Sequence, residues 1–165
     1  PGTQWDSANE ELDFTYRSAA GLSVSSAPTT MPVTVYIVIR IADWADGRAL
    51  FYFSVPNARI GQGGNTPEIL LFAGQYNLFE ATDLGSYGII TATINGANSS
   101  LQWNDDTPVT GNAGTNTLDS TYYIGYDDDN ANMSIKEVIV RSTNDSAQNR
   151  TDVKAYLYDK YSITP

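Results

Sequence analysis

Residues 34–41 read Thr-Val-Tyr-Ile-Val-Ile-Arg-Ile, a β-branched and aromatic run with no helical period. Such a run forms a strand buried on both faces or nearly so, and the chain must fold around it. Asp43-Trp-Ala-Asp-Gly47 then supplies turn chemistry, and Ala49–Val55 runs back as the next strand until Pro56 ends it. Gly61–Pro67 reads as a loop, because clustered glycines supply positive φ and Pro67 cannot join a ladder. Glu68–Ala73 and Tyr87–Ile94 read as further strands, and Asn95-Gly96 is a strong hairpin signal leading into Ser99–Asn104. Tyr122–Tyr126 and Ser134–Arg141 complete the set, on either side of the polar run Asp127–Asn132.

One segment departs from this pattern. After Ser146, a capping hydroxyl, Val153, Tyr156, Leu157, Lys160 and Tyr161 recur at spacings of three and four. The spacing predicts one amphipathic helix from Ala147 to about Lys160, covering an open edge or end of the core with Val153, Tyr156, Leu157 and Tyr161. Many short strands, steady turns and one terminal helix describe an all-β chain: a two-sheet antiparallel sandwich forming one domain over residues 1–165.

Composition removes whole classes of function. The chain has 165 residues, no Cys and no His, which excludes thiol nucleophiles, Ser-His-Asp machinery, Cys/His zinc sites and disulfide frameworks. With 9 basic and 19 acidic side chains the net charge is −10, the wrong sign for holding nucleic acid or anionic lipid. No apolar stretch approaches the roughly 20 residues of a membrane span. What remains is carboxylate chemistry, calcium, sugar recognition and protein assembly. An acidic surface favours neutral glycans or cationic partner patches.

Glu11-Leu-Asp13 is the one pattern that points to hydrolysis, since strand alternation puts both carboxyls on one face. Retaining glycosidases need two carboxyls about 5–5.5 Å apart, and jelly-roll endoglucanases supply them as Glu-x-Asp-x-(x)-Glu. Here Thr15 or Tyr16 stands where the second Glu belongs, so Glu11 and Asp13 read as solvated strand residues and the chain as no enzyme.

Asp127, Asp128, Asp129, Asn130 and Asn132 form the densest cluster of hard oxygen ligands, the kind that suits calcium. Met133 replaces the glycine of an EF-hand loop and Ile139 stands at its twelfth position, so this is no EF-hand. The run reads as a polar turn bonding its own backbone, and as the place for a calcium ion if one binds. No other cofactor is implied.

Aromatic faces hold the apolar faces of sugars while neighbouring Asp and Asn orient the hydroxyls. Trp44 between Asp43 and Asp46 fits that description at a rim, and Trp103 with Asn104 fits it in a hairpin. Trp103 shares strand parity with Leu101, which gives it a core reading as well.

Several segments together carry a resemblance. Ile89–Gly96 with Ala97–Leu101, Gly111–Thr115 with Tyr123-Ile-Gly125, Ile135–Val140, and the terminal Asn149–Tyr161 resemble the central hairpin, the "IG" strand, the "IAEVIVY" strand and the closing helix of one family. That family is the laminin-G-like, concanavalin A-type jelly-roll domains of bacteriophage structural and marine bacterial surface proteins. Ser162 stands where the family usually has Gly, and Arg141 where it has an aromatic. The resemblance implies a concanavalin A-like sandwich at an extracellular or virion surface, with glycans or other virion and cell-surface proteins as partners. It leaves two functions open: a phage decoration or fibre module with a glycan-binding role, and the carbohydrate-binding module of a secreted polysaccharide-processing protein. Fold alone does not select between them.

Overall fold

The computed structural model describes residues 5–14, 21–54, 58–64, 67–75, 77–125 and 131–165. Thirteen strands, one short 3-10 turn at Gly96–Asn98 and one α-helix lie among them. The strands are β1 (Trp5–Asp6), β2 (Glu11–Phe14), β3 (Leu22–Ser25), β4 (Val33–Ile41), β5 (Ala49–Ser54), β6 (Ala58–Gln62), β7 (Glu68–Phe72), β8 (Leu78–Ala81), β9 (Tyr87–Ile94), β10 (Ser99–Trp103), β11 (Val109–Gly111), β12 (Thr121–Ile124) and β13 (Met133–Arg141). Helix α1 spans Ala147–Tyr161.

Two antiparallel sheets pack face to face. The seven-stranded sheet runs β1-β2-β13-β4-β9-β10-β11 and the six-stranded sheet runs β3-β12-β5-β6-β7-β8. The β-branched run Thr34–Ile41 in β4 is the centre of the larger sheet, with β13 and β9 paired along its length. Its alternate residues Val35, Ile37, Ile39 and Ile41 enter the core between the sheets with Phe51, Phe53, Ile60, Leu71, Leu101 and Tyr122. Phe51, Phe53 and Tyr122 meet edge to face with ring centres 4.9–5.7 Å apart, the geometry that ring quadrupoles prefer.

Residues of the other parity, Tyr36 and Val38 with Ile89, form a second apolar layer under Leu157 and Ile163. The helix therefore lies on the outer face of the seven-stranded sheet, where the sequence led us to expect it over an edge or end. That placement explains why β4 is apolar on both faces: one face meets the opposite sheet and the other meets the helix. Leu157 is fully buried, whereas Tyr156 is exposed, its hydroxyl accepting from Lys160 Nζ at 2.8 Å. The helix begins where the cap predicts, with Ser146 Oγ accepting from Asn149 N at 3.2 Å. It ends at Ser162, whose φ of 53° is the left-handed conformation that glycine adopts most readily, which accounts for the glycine usual there in the resembling family.

The segment read as a loop from Gly61 begins inside β6. A Cβ at Gly61 would stand 2.7 Å from the Arg48 carbonyl, so its glycine permits close approach of β5 rather than a turn. No helix among the described residues is long and apolar enough to cross a membrane.

Candidate functional site

Trp44 sits in the turn between β4 and β5, half-buried, and its indole N–H donates to the Glu68 carbonyl at 3.1 Å. Asp43 and Asp46 beside it are exposed. The Asp43 carbonyl accepts from Gln62 Nε2 at 2.8 Å, and its carboxylate accepts from Asn132 Nδ2 at 3.4 Å. Asn132, the last residue of the candidate calcium run, thus lies beside the Trp44 rim. Asp127, Asp128, Asp129 and Asn130, along with Tyr126, lie outside the described residues.

Trp103 belongs to the core. It is 2% exposed, and its ring lies so close to Gly88 that a Cβ there would stand 2.2 Å from Cζ2. The sugar-facing role considered for it has no ring surface to act through. Asn104 shapes the corner after β10. It holds a φ of 47°, its Oδ1 accepts from Ile89 N at 2.8 Å, and its carbonyl accepts from Lys154 Nζ at 3.1 Å.

The expectation of a solvated Glu11 is corrected. Glu11 and Asp13 do share the outer face of the seven-stranded sheet, but Glu11 is only 3% exposed. Tyr87 donates its hydroxyl to Glu11, while Arg40 and Lys136 each place a nitrogen 3.6 Å from its carboxylate. Arg40 also donates to Ser134 Oγ at 2.7 Å, and Ser134 in turn donates to Asp13. Alternation predicted the face; it could not show that other side chains would cover it. Burial, and next the bond to Glu11, push the Tyr87 hydroxyl well above its ordinary range. Asp6, Glu11 and Asp13 offer carboxylate oxygens within 4.8 Å of one another. Arg40 and Lys136 already offset that charge, so the chemistry of this cluster is an ion-pair network.

Beside this network lies a groove of about 550 Å³, lined by Trp5, Glu10, Lys136, Lys160, Tyr161 and Ser162. One wall is the β1–β2 hairpin. Its turn is fixed by Asp6, whose carboxylate accepts from Ala8 N at 2.8 Å and from Asn9 Nδ2 at 2.7 Å. The Asn9 side chain, and then the Ala8 N–H, hold the Asp6 carboxyl below its ordinary range. Glu10 turns the corner with a φ of 52°. The other wall is the end of α1, where Lys160 Nζ and the Tyr161 hydroxyl both donate to Glu137 at 2.9 Å. Bonds to Tyr156 and Glu137 keep Lys160 protonated far above its ordinary range. Lys136 Nζ joins the walls, donating to the Asn9 carbonyl at 2.8 Å and lying 4.9 Å from the Tyr87 ring centre and 5.9 Å from that of Tyr161.

Trp5 is 52% exposed, the most open large apolar side chain in the described chain. Sequence reasoning missed it, although its setting among Asp6, Ser7, Asn9 and Glu10 is the same polar signal that singled out Trp44.

No family model and no curated protein matches the chain. Solved structures do match. Trypanosoma rangeli sialidase in complex with sialic acid superposes with a TM-score of 0.59 at 15% identity over 81% of this chain. The chain spans 24% of that sialidase's length. Domain 4 of a GH43 extracellular arabinanase from Geobacillus stearothermophilus, in complex with arabinotriose, matches with a TM-score of 0.60 at 12% identity, over 81% of this chain and 72% of that one. The binding domain of botulinum neurotoxin DC, in complex with rat synaptotagmin II, matches with a TM-score of 0.56 at 15% identity, over 76% of this chain and 36% of that one. These likenesses show a two-sheet β-sandwich without singling out the laminin-G type.

Proposed function

We propose that the chain is a non-catalytic carbohydrate-binding domain acting at an extracellular surface, and that the groove between the β1–β2 hairpin and the end of α1 holds the sugar. The observation that carries this is an exposed Trp5 beside an open groove furnished with Glu10, Ser162 and the Tyr161 ring. An aromatic face meets the C–H face of a sugar ring, and carboxylate and hydroxyl groups order its hydroxyls. The groove is preferred to the Trp44 rim because Trp44 is half-buried and its N–H is already used by Glu68. The arabinotriose-bound arabinanase domain, matched over most of its own length, lends support as a relative in fold. Nothing in the fold or its neighbours bears on a virion role.

A panel of immobilised neutral and acidic polysaccharides, probed with the whole chain, tests the reading. Retention on at least one of them with no release of reducing ends is the expected result. Failure to bind any, or release of product that Glu11→Gln abolishes, would overturn it.

A further inference from the structure

Two lysines line the groove, which taken alone points to an anionic ligand such as a sialylated or uronate-bearing glycan. The charge around them points the other way. Lys136 Nζ is 3.6 Å from the Glu11 carboxylate and bonded to the Asn9 carbonyl. Lys160 Nζ is 2.9 Å from Glu137. Arg40, the third cation of the cluster, is shared between Glu11 at 3.6 Å and Asp13 at 4.0 Å. Asp6 and Glu10 add two more carboxylates. Three cations against five carboxylates leave the formal local charge at −2, on a chain whose net charge is −10.

We infer that the groove selects uncharged, hydroxyl-rich oligosaccharides and rejects anionic ones, with Lys136 and Lys160 serving to hold the walls together rather than to meet the ligand. This rests on the carbohydrate-binding reading above. A sugar carboxylate entering the groove would have to share a lysine with Glu11 or Glu137 while facing a field of its own sign. A neutral sugar meets the Trp5 face and donates hydroxyls to Glu10 without disturbing either pair. Binding of that kind is insensitive to screening.

The test uses the whole chain and matched ligands, lactose against sialyllactose and the methyl ester of trigalacturonate against trigalacturonate. Each is titrated at about 0.01 M and about 1 M salt, where the Debye length is about 30 Å and about 3 Å. The expected result is binding of a neutral member, changing less than about twofold with salt, and binding of its anionic counterpart weaker by about tenfold or more at low salt. Glu137→Gln removes one negative charge while leaving an amide oxygen to accept from Lys160 and Tyr161, and is expected to narrow that preference by about fivefold, the most that an exposed pair is worth. Tighter binding of an anionic ligand, weakened by salt, would overturn the charge selection and leave the carbohydrate reading standing. An unchanged preference in Glu137→Gln would also contradict the charge accounting. Binding of no member of either class would instead remove the carbohydrate reading on which the inference rests.

Discussion

The Tyr36 hydroxyl donates to the Asp145 carboxylate across 2.7 Å, tying the middle of β4 to the residue just before the cap of α1. Asp145 is 1% exposed and shares the same oxygen with Arg141 Nε at 2.9 Å, while Oδ1 has no hydrogen-bond partner among the described residues. The pair fixes the helix onto the outer face of the sheet, and the end of that helix forms one wall of the groove.

Tyr36→Phe removes one donor from a buried carboxylate. Hydrogen bonds to charged groups contribute about 1.5–3 kcal/mol, so chemical denaturation should show a loss of about 2 kcal/mol. Amide exchange should quicken in α1 before it does in β4. Wild-type stability in this variant would show that the contact does not anchor the helix.

Gly88→Ala places a methyl group where the Trp103 ring lies, 2.2 Å from Cζ2. Overpacking of this kind costs about 1–3 kcal/mol. The expected signature is a lower denaturation midpoint together with red-shifted tryptophan emission. Unaltered emission and stability would mean that the ring has room to move.

Glu80 on β8 is 8% exposed, and its Oε2 has no partner among the described residues. Burial, and next the nearby Asp106, raise its carboxyl above the ordinary range. A raised carboxyl favours the folded state at acid pH, and that contribution is lost as pH rises through the folded pKa. Glu80→Gln should therefore raise the melting temperature at neutral pH, and the gain should vanish near about pH 4, around the ordinary Glu pKa. A variant less stable than wild type at both pH values would contradict this.

Burial pushes the Tyr122 hydroxyl up to about 12, and Tyr36, Tyr87 and Tyr158 are also raised, with burial the leading cause in each. The folded state holds these protons more tightly than the unfolded state, so their stabilisation is intact below about pH 10 and is lost as pH climbs through the folded values. The part of the tyrosinate absorbance that Tyr→Phe variants at these four positions lack should appear together with loss of the sheet signal, above about pH 10. Titration of these tyrosines in a chain that stays folded would show them to be open to solvent.

The elements legible in the sequence were those with strong local signals. Tyr87–Ile94 has the bounds its β-branched run gave, and α1 runs one residue beyond its expected end. Strands β3, β6, β8 and β11, of three to five residues, were not legible, because strands this short are held by their neighbours rather than by their own pattern. The site was less legible still. Glu11 alternates like an exposed residue, and only the arrival of Arg40, Lys136 and Tyr87 from three other strands buries it. Trp44 and Trp5 occupy the same kind of polar setting in sequence. What separates them is tertiary: Glu68 takes the indole N–H of Trp44, and a groove opens beside Trp5.

If the sandwich binds sugar at the Trp5 groove, the Trp5 indole carries the main contact. Calorimetric titration of the wild type, Trp5→Ala and Trp44→Ala with one neutral oligosaccharide tests it directly. Trp5→Ala is expected to weaken binding by about tenfold or more, the loss of about 1.4 kcal/mol of aromatic contact, and Trp44→Ala to bind as the wild type does. Full affinity in Trp5→Ala, with binding lost in Trp44→Ala, would contradict it and move the site to the rim of Asp43, Trp44 and Asp46.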